Sequence, residues 1–507
     1  MHPTPTRPTP RRLAMALAAV GLASVPAAAL DGEIPEVARE FRAAWIATVA
    51  NIDWPSRSGL APEVQRAELV TLLDRAAAIG LNAVVFQIRP CADAFYDSPL
   101  EPWSEYLTGA MGRPPEPFYD PLEFAVAAAH ERGLELHAWF NPYRVRHAGA
   151  KTPAAATHAS ATMPDVVRRY GPYLWFDPGE PAAADRFLEV VTDVVRRYDI
   201  DGVQIDDYFY PYPVSEEGRE VPFPDDDSHS RAVAAGGAAD RDAWRRDNVD
   251  RLVERLWHEV KEIKPHVLVG ISPFGIWRPG HPPGIQGLDQ YGKLHADARK
   301  WLREGWLDYL APQLYWRIDA PAQGYEKLLR WWGEENVAGR GLWPGNYTSR
   351  VRRDAETSTG PTSWEAEEIV RQVEATQAQP GAGGNIHFSM KALANDYDGV
   401  ASKLAAGPYA KPALVPLVRR PDGPPPPEPR LSRDGSTVTL GLPDGNRPWL
   451  WVVRSRTAGG WRVEQLPGQT AKHQLGPDDG EVVVSAVARD GQEGPVARLI
   501  PATVGGP

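Results

Sequence analysis

The sequence predicts an α/β protein, a (β/α)8 TIM barrel followed by a small β-sandwich. Three observations carry this. Eight strand-like runs alternate with helical runs between residues 41 and 390, a pattern of parallel sheet, and eight such units suit a closed barrel. Four consecutive prolines, Pro424 to Pro427, then interrupt the chain as a stiff extended spacer. Beyond them, short alternating runs are separated by turns at Asp434-Gly435, Asp444-Gly445 and Asp490-Gly491, as in a sandwich. The predicted organisation is a signal peptide at 1–29, a barrel at 38–408, a linker at 409–430 and a sandwich at 431–503.

Each unit has its own signals. Residues 41–49 read as the first strand, and the helix after it (63–78) carries Leu69, Leu72, Leu73 and Ala76 at helical spacing before Gly80. Strands follow at 83–90 and 135–142, with a helix at 121–132 between them. A helix at 181–198 leads to the fourth strand, 201–211, and a strongly amphipathic one at 244–263 leads to the fifth, 267–274. Helices at 295–303, 325–332 and 364–377 precede strands at 309–316, 341–347 and 384–390.

Arg7, Arg11 and Arg12 stand before an apolar run at 13–25 and a small-residue site at Ala27-Ala28-Ala29. This is the layout of an export signal, by the general secretory or the twin-arginine route, to the periplasm or the exterior. No later run is long enough to span a bilayer. Net charge is -11, and loss of the signal removes three more positive charges. An acidic chain is a poor partner for nucleic acid and suits a neutral substrate. Cys91 is the only cysteine, so no internal disulfide forms. It is expected to fill space beside the second strand.

The fourth strand is the functional focus: Asp201-Gly202-Val203-Gln204-Ile205-Asp206-Asp207-Tyr208-Phe209-Tyr210-Pro211. Alternation sends Val203 and Ile205 one way, Gln204 and Asp206 the other, and catalytic carboxylates of barrel enzymes sit at strand C-termini. The same alternation offers Gln87 and Arg89, His137 and Asn141, Ser272, Gln313 and Tyr315, and His387 and Ser389 to the interior. So many polar groups are costly in a core unless they bind one another or a ligand. No zinc motif, nucleophile elbow, phosphate loop or dinucleotide fingerprint is present, and no cofactor is required. Asp225-Asp226-Asp227 lacks calcium-loop spacing and reads as solvated loop. Carboxylates, amides and aromatics remain, a mixture that suits sugars. Trp54, Trp103, Trp277 and Trp316 are expected at strand-end loops.

Six blocks in order resemble one family: residues 41–54, Gln87 to Pro90, Trp139 to Arg144, Asp201 to Pro211, Ile271 to Gly275, and Ala311 to Trp316. They are similar to the bacterial glycosyl hydrolase-like family 10. The resemblance implies a (β/α)8 barrel, an exported location and glycosidase chemistry, in a family with divisome-localised members acting on peptidoglycan glycan strands. Many members are lipoproteins, whereas this chain has no lipid-accepting cysteine. The fourth strand also resembles the Asp-Gly-x-Asp-x-Asp-x-Glu strand of family 18 chitinases, with Gln204 in place of one Asp and Tyr208 where the acid Glu would stand. The C-terminal runs look like a fibronectin type III module, with contact or spacing as its role and an envelope partner as its target.

The function expected is hydrolysis of O-glycosidic bonds in a cell-envelope polysaccharide, peptidoglycan first, by paired carboxyls. Another exported glucan, or glycan binding without hydrolysis, are the alternatives. Asp206 is expected as nucleophile or cation stabiliser, kept ionised by Arg89. Asp207, Glu101 and Asp53 compete for the acid role. If the substrate is N-acetylated, its acetamide can attack and one acid suffices. Arg89, Asn141, Tyr143, Arg144, Gln204, Tyr208, Gln313, Tyr315, Trp316 and His387 are the expected substrate-binding residues.

Overall fold

The computed structural model describes residues 33–353, 363–418 and 423–500. The export signal at 1–29 and the linker residues 419–422 lie outside them. Strands β1 (Phe41–Ile46), β2 (Ala83–Arg89), β3 (Glu135–Phe140), β4 (Gly202–Ile205), β5 (Leu268–Ile271) and β6 (Tyr309–Leu310) pair parallel with their successors. Two short strands follow, β7 (Gly341–Leu342) beside β6 and β8 (Gly345–Asn346) beside β9 (Gly384–His387), which returns to β1. The sheet order is β7-β6-β5-β4-β3-β2-β1-β9-β8. Its two ends are halves of one run, divided at Trp343-Pro344. Trp343 N donates to Leu310 O (2.9 Å), and Pro344 O accepts from Ile386 N (3.1 Å). The sheet therefore curls back on itself in a TIM-barrel-like architecture.

Helices cover it. They are α1 (Pro62–Ile79), α2 (Pro121–His130), α3 (Pro181–Arg197), α4 (Arg241–Ile263), α5 (Ala298–Glu304), α6 (Tyr325–Glu335), α7 (Ala366–Ala378) and α8 (Val400–Ala406). Their ends follow from local chemistry. Pro occupies the first turn of α1, α2 and α3. Asp120 and Asp240 accept hydrogen bonds from first-turn amides of α2 and α4. Gly80 stops α1 at φ 88°, a left-handed turn that a side chain would strain.

The interior explains where a cavity can exist. At the strand N-termini, Phe41 stacks on Trp343 (3.9 Å between centroids) and Trp343 on Tyr309 (4.3 Å). His137 Nδ1 and Tyr309 Oη lie 2.9 Å apart. These rings fit because their neighbours have no side chain: a Cβ on Gly270 would meet the Tyr309 ring at 1.8 Å, and one on Gly202 the His137 ring at 2.6 Å. The N-terminal end of the curled sheet is thus plugged by aromatics, and open space is left at the C-terminal end.

The C-terminal residues form antiparallel sheets. One has three strands, Arg430–Asp434, Thr437–Gly441 and Lys472–Gln474. The other has four, Gly460–Pro467, Leu450–Thr457, Val482–Val487 and Ala497–Leu499. Val438, Leu440, Trp451, Val453, Val482 and Val484 make their core. The opposite face of the second sheet presents Leu450 and Val452 to Leu414. Arg489 reaches Asp201 (2.9 Å), which itself receives the amide of Leu136 (2.8 Å). Gln469 donates to Glu131 O (3.1 Å). These contacts meet the strand N-termini, the end remote from the open cavity.

Candidate active site

At the strand C-termini lies a cavity of about 250 Å³. Its lining includes Asp206, Asp207 and Tyr208 after β4, Arg144 after β3, and Gln313 and Tyr315 after β6. β4 ends at Ile205 and the chain bends at Asp207. The bend breaks the pleat that would have turned Asp207 away, so consecutive carboxyls face one space. Asp206 is 4% exposed. Its Oδ1 accepts from Asn141 Nδ2 (3.0 Å) and its Oδ2 from Trp139 Nε1 (3.1 Å). Asp207 accepts from the Tyr212 hydroxyl and bonds Gln313.

Burial dominates the electrostatics. It pushes the Asp206 carboxyl up to about 7. The Arg144 guanidinium opposes the rise, the Asp207 charge adds to it, and the Asn141 and Trp139 N–H groups pull it back. Burial also raises Asp207, against the hydrogen bonds of Tyr212 and Gln313. Burial, with Asp207 beside it, raises the Tyr212 phenol too, so this hydroxyl keeps its proton to donate. A carboxyl titrating near neutrality is what general acid catalysis needs.

Arg144 is fixed from three sides. Its amide donates to Asn141 Oδ1 (2.8 Å), its Nε to Pro90 O (3.1 Å), and its guanidinium lies 4.8 Å from the centre of the Tyr208 ring. The walls are aromatic: Trp45, Trp139, Tyr208, Tyr212, Tyr315, Tyr347 and Phe388. Beneath them, Gln87 Oε1 accepts from the amides of Thr48 (3.0 Å) and Val49 (2.9 Å) while its buried Nε2 has no partner. Gln87 is itself one of the residues lining the cavity.

Several residues expected to touch substrate are placed elsewhere. Arg89 does not reach Asp206. A register shift between Gln87 and Arg89 turns its side chain outward, where Nε and Nη2 grip both oxygens of Glu101 (2.8 and 2.5 Å). That pair is buried outside the cavity, so neither Arg89 as ioniser nor Glu101 as acid is supported. Asp53 is taken up by Ala47 N, Ser389 Oγ and Lys391 N. Asn141 holds Asp206 and spends both ends of its amide inside the protein. Tyr143 is fully buried, away from the cavity. Gln204 lies under the floor, accepting from Trp45 Nε1 (3.4 Å). Trp316 packs edge-on to Phe274 and does not line the cavity. His387 faces outward, between Thr348 (2.9 Å) and Tyr409 (3.0 Å), because Ile386 takes the inward position.

Among the expected aromatics, Trp54 and Trp277 belong to the core. Trp45 and Trp139, each one residue from the C-terminal end of its strand, take the places at the cavity. Their inward phase was readable, since each shares its strand's parity with a small or polar interior residue, Ala43 and His137. Tyr212, in Tyr210-Pro211-Tyr212-Pro213, carried only a compositional signal. Cys91 is buried, and burial raises its thiol to about 12. Asp225 is held by Arg245 (2.7 Å). Among the described residues no group of three or more His, Cys, Asp or Glu could hold a metal ion, and no helix is long and apolar enough to cross a membrane.

A curled parallel sheet with paired carboxyls and aromatic walls at its mouth has the make-up of a carbohydrate-active enzyme. Residues 40–357, more than half the chain, match the glycosyl hydrolase-like 10 family. The glycosyl hydrolase YngK of Bacillus subtilis (strain 168) is 41% identical over 404 residues, spanning 78% of this chain and 77% of the relative. The glycosyl hydrolase DigH of Escherichia coli (strain K12) is 33% identical over 377 residues, spanning 69% and 82%. The glycoside hydrolase domain of PgaB (BpsB) from Bordetella bronchiseptica aligns over 72% of this chain and 98% of its own, with 13% identity and a TM-score of 0.46. The chain belongs to the glycosyl hydrolase-like 10 family and is a glycoside hydrolase-like enzyme.

Proposed function

We propose that this enzyme cleaves O-glycosidic bonds in an exported cell-envelope polysaccharide, with the N-acetylated glycan strands of peptidoglycan as substrate. The observation that carries the reading is the Asp206-Asp207 pair, two buried carboxyls sharing one aromatic-walled cavity. Asp206 has a carboxyl that holds its proton up to about pH 7 and protonates the leaving oxygen. Asp207, steadied by Tyr212 and Gln313, stabilises the positive charge that develops on the sugar, or steers the substrate's own acetamide onto the reacting carbon. Trp45, Trp139 and Tyr315 offer flat faces to the sugar ring. Arg144 and the free N–H of Gln87 bind its oxygens.

The N-terminal export pattern and the resemblance to envelope enzymes support a cell-wall substrate over a cytoplasmic one. The deciding experiment is mass spectrometry of products after incubation with purified peptidoglycan glycan and, in parallel, with starch-like glucans. Muropeptide or disaccharide products from the first alone support the reading. Products from the glucans alone would replace its substrate, and sacculus binding without new reducing ends would replace its chemistry.

A further inference from the structure

The catalytic cavity does not end at Tyr347. A second, wider cavity of about 590 Å³ adjoins it, and Ile52 lines both. Its walls carry Arg350, Arg352, Arg353 and Lys391, with Asn51, Ser349, Ser363 and Ser389 between them. Two contacts tie it to the chemistry. The Arg350 guanidinium lies 5.0 Å from the centre of the Tyr347 ring, and Tyr347 in turn packs 4.7 Å from Tyr315. Phe388 lines the first cavity while the next residue, Ser389, lines the second.

Among the described residues, the carboxylates near this basic wall are already engaged. Asp398 and Glu365 pair with Arg352 (3.2 and 3.7 Å). Asp396 pairs with Arg75 (3.4 Å). Asp53 accepts from Ser389 and from the amides of Ala47 and Lys391. Among the described residues, no carboxylate lies within ion-pair distance of Arg350 or Arg353, and Lys391 Nζ donates only to Ile52 O (3.1 Å). Both arginines lie over rings, Arg350 on Tyr347 and Arg353 5.9 Å from the centre of Tyr397. Ring stacking leaves the guanidinium edge with its forked N–H donors for a planar oxyanion. All of this stands in a chain of net charge -11, whose overall field repels anions. A local cluster of cations thus stands against that field, in a cavity that shares Ile52 with the one holding Asp206 and Asp207.

We propose that this basic extension is a subsite for a carboxylate-bearing sugar unit, so that the enzyme selects an acidic saccharide over a neutral glucan. The inference rests on the glycosidase reading above and deepens it. On a peptidoglycan strand the carboxylate has two sources, the lactyl group of a peptide-free unit or the acids of a stem peptide.

The test compares three substrates: peptide-free glycan, the same glycan with its carboxyls amidated, and peptide-bearing glycan. Wild type, Arg350→Ala, Arg350→Lys and Arg353→Ala are each assayed for kcat/KM, and for binding by tryptophan fluorescence in an Asp206→Asn background. The binding assay reads the subsite without turnover. Wild type should prefer the carboxylate form over its amide by on the order of ten-fold, the size of one charge-assisted contact. The preference should fall in high salt, collapse in Arg350→Ala and partly return in Arg350→Lys. A lactyl contact predicts the preference on peptide-free glycan, and a stem-peptide contact predicts it only on peptide-bearing glycan. Equal binding of carboxylate and amide forms by wild type, or equal losses on both in Arg350→Ala, would overturn the subsite. Loss of cleavage on every substrate with the binding preference intact would instead overturn the hydrolytic reading.

Discussion

Replacing Asp206 by Asn should stabilise the protein at alkaline pH and leave it unimproved at acid pH. The carboxyl titrates near 3.8 when unperturbed and near 7 when buried in the fold. A carboxyl whose pKa is raised by folding binds its proton more tightly in the native state. Its contribution to stability is therefore fully present below about 3.8, is lost as the pH rises through the window from there to about 7, and is constant above. At about 1.4 kcal/mol per unit, the ceiling on the loss is about 4 kcal/mol. Asn keeps the size of the side chain and cannot ionise. Its single oxygen still accepts from Asn141 or Trp139 but not fully from both, which returns about 1 kcal/mol of the gain. The expected difference is a variant more stable by about 1–3 kcal/mol at pH 8 and equal or slightly weaker at pH 4. Urea unfolding followed by tryptophan fluorescence at pH 4, 6 and 8 measures it. A variant-minus-wild-type difference that stays the same at all three values would refute the claim that Asp206 is a buried, neutralised acid.

Four other outcomes follow from the same geometry. Tyr212→Phe removes a hydrogen bond that holds Asp207 down, so the group it governs should titrate at higher pH, seen as a displaced limb in the kcat profile. Glu101→Ala strands Arg89 without its buried partner and should cost about 3–5 kcal/mol in chemical unfolding, with kcat of the folded fraction unchanged. Gly270→Ala pushes a methyl into the Tyr309 ring and should lower stability by about 1–3 kcal/mol or more, measured by thermal melting. Arg489→Ala cuts the tie between the C-terminal sheets and Asp201; a lower melting temperature with unaltered kcat is expected.

The repeating architecture was legible because period-2 and period-3.6 patterns alternate from Phe41 onward, and α1, α3 and α7 fall within about two residues of their predicted ends. The strands came out shorter than predicted. Residues such as Gln313 and Tyr315 continue the apolar run in sequence, yet after Leu310 they leave the regular ladder to line the cavity. The central carboxylate was readable from alternation in β4, since Val203 and Ile205 face the helices. Alternation failed where its phase was ambiguous. In β9 the apolar Ile386 points inward, as branched residues do in a barrel interior, and His387 points outward to Thr348 and Tyr409. At the end of β2 a register shift reverses Arg89 after Gln87. Neither a bulge nor a bend such as the one at Asp207 leaves a mark in residue type. The grip of Glu101 on Arg89 was likewise invisible, because it depends on a loop folding back over the outside of the barrel.

The proton-donor assignment is tested most directly by comparing two leaving groups. Asp206→Asn and wild type should be assayed on the natural glycan and on an aryl glycoside of the same sugar, whose phenolate departs without a proton. The variant should lose roughly 10²–10⁴-fold in kcat on the glycan, the usual contribution of general acid catalysis, and far less on the aryl glycoside. Equal losses on both substrates, or full activity on the glycan, would contradict the role given to Asp206.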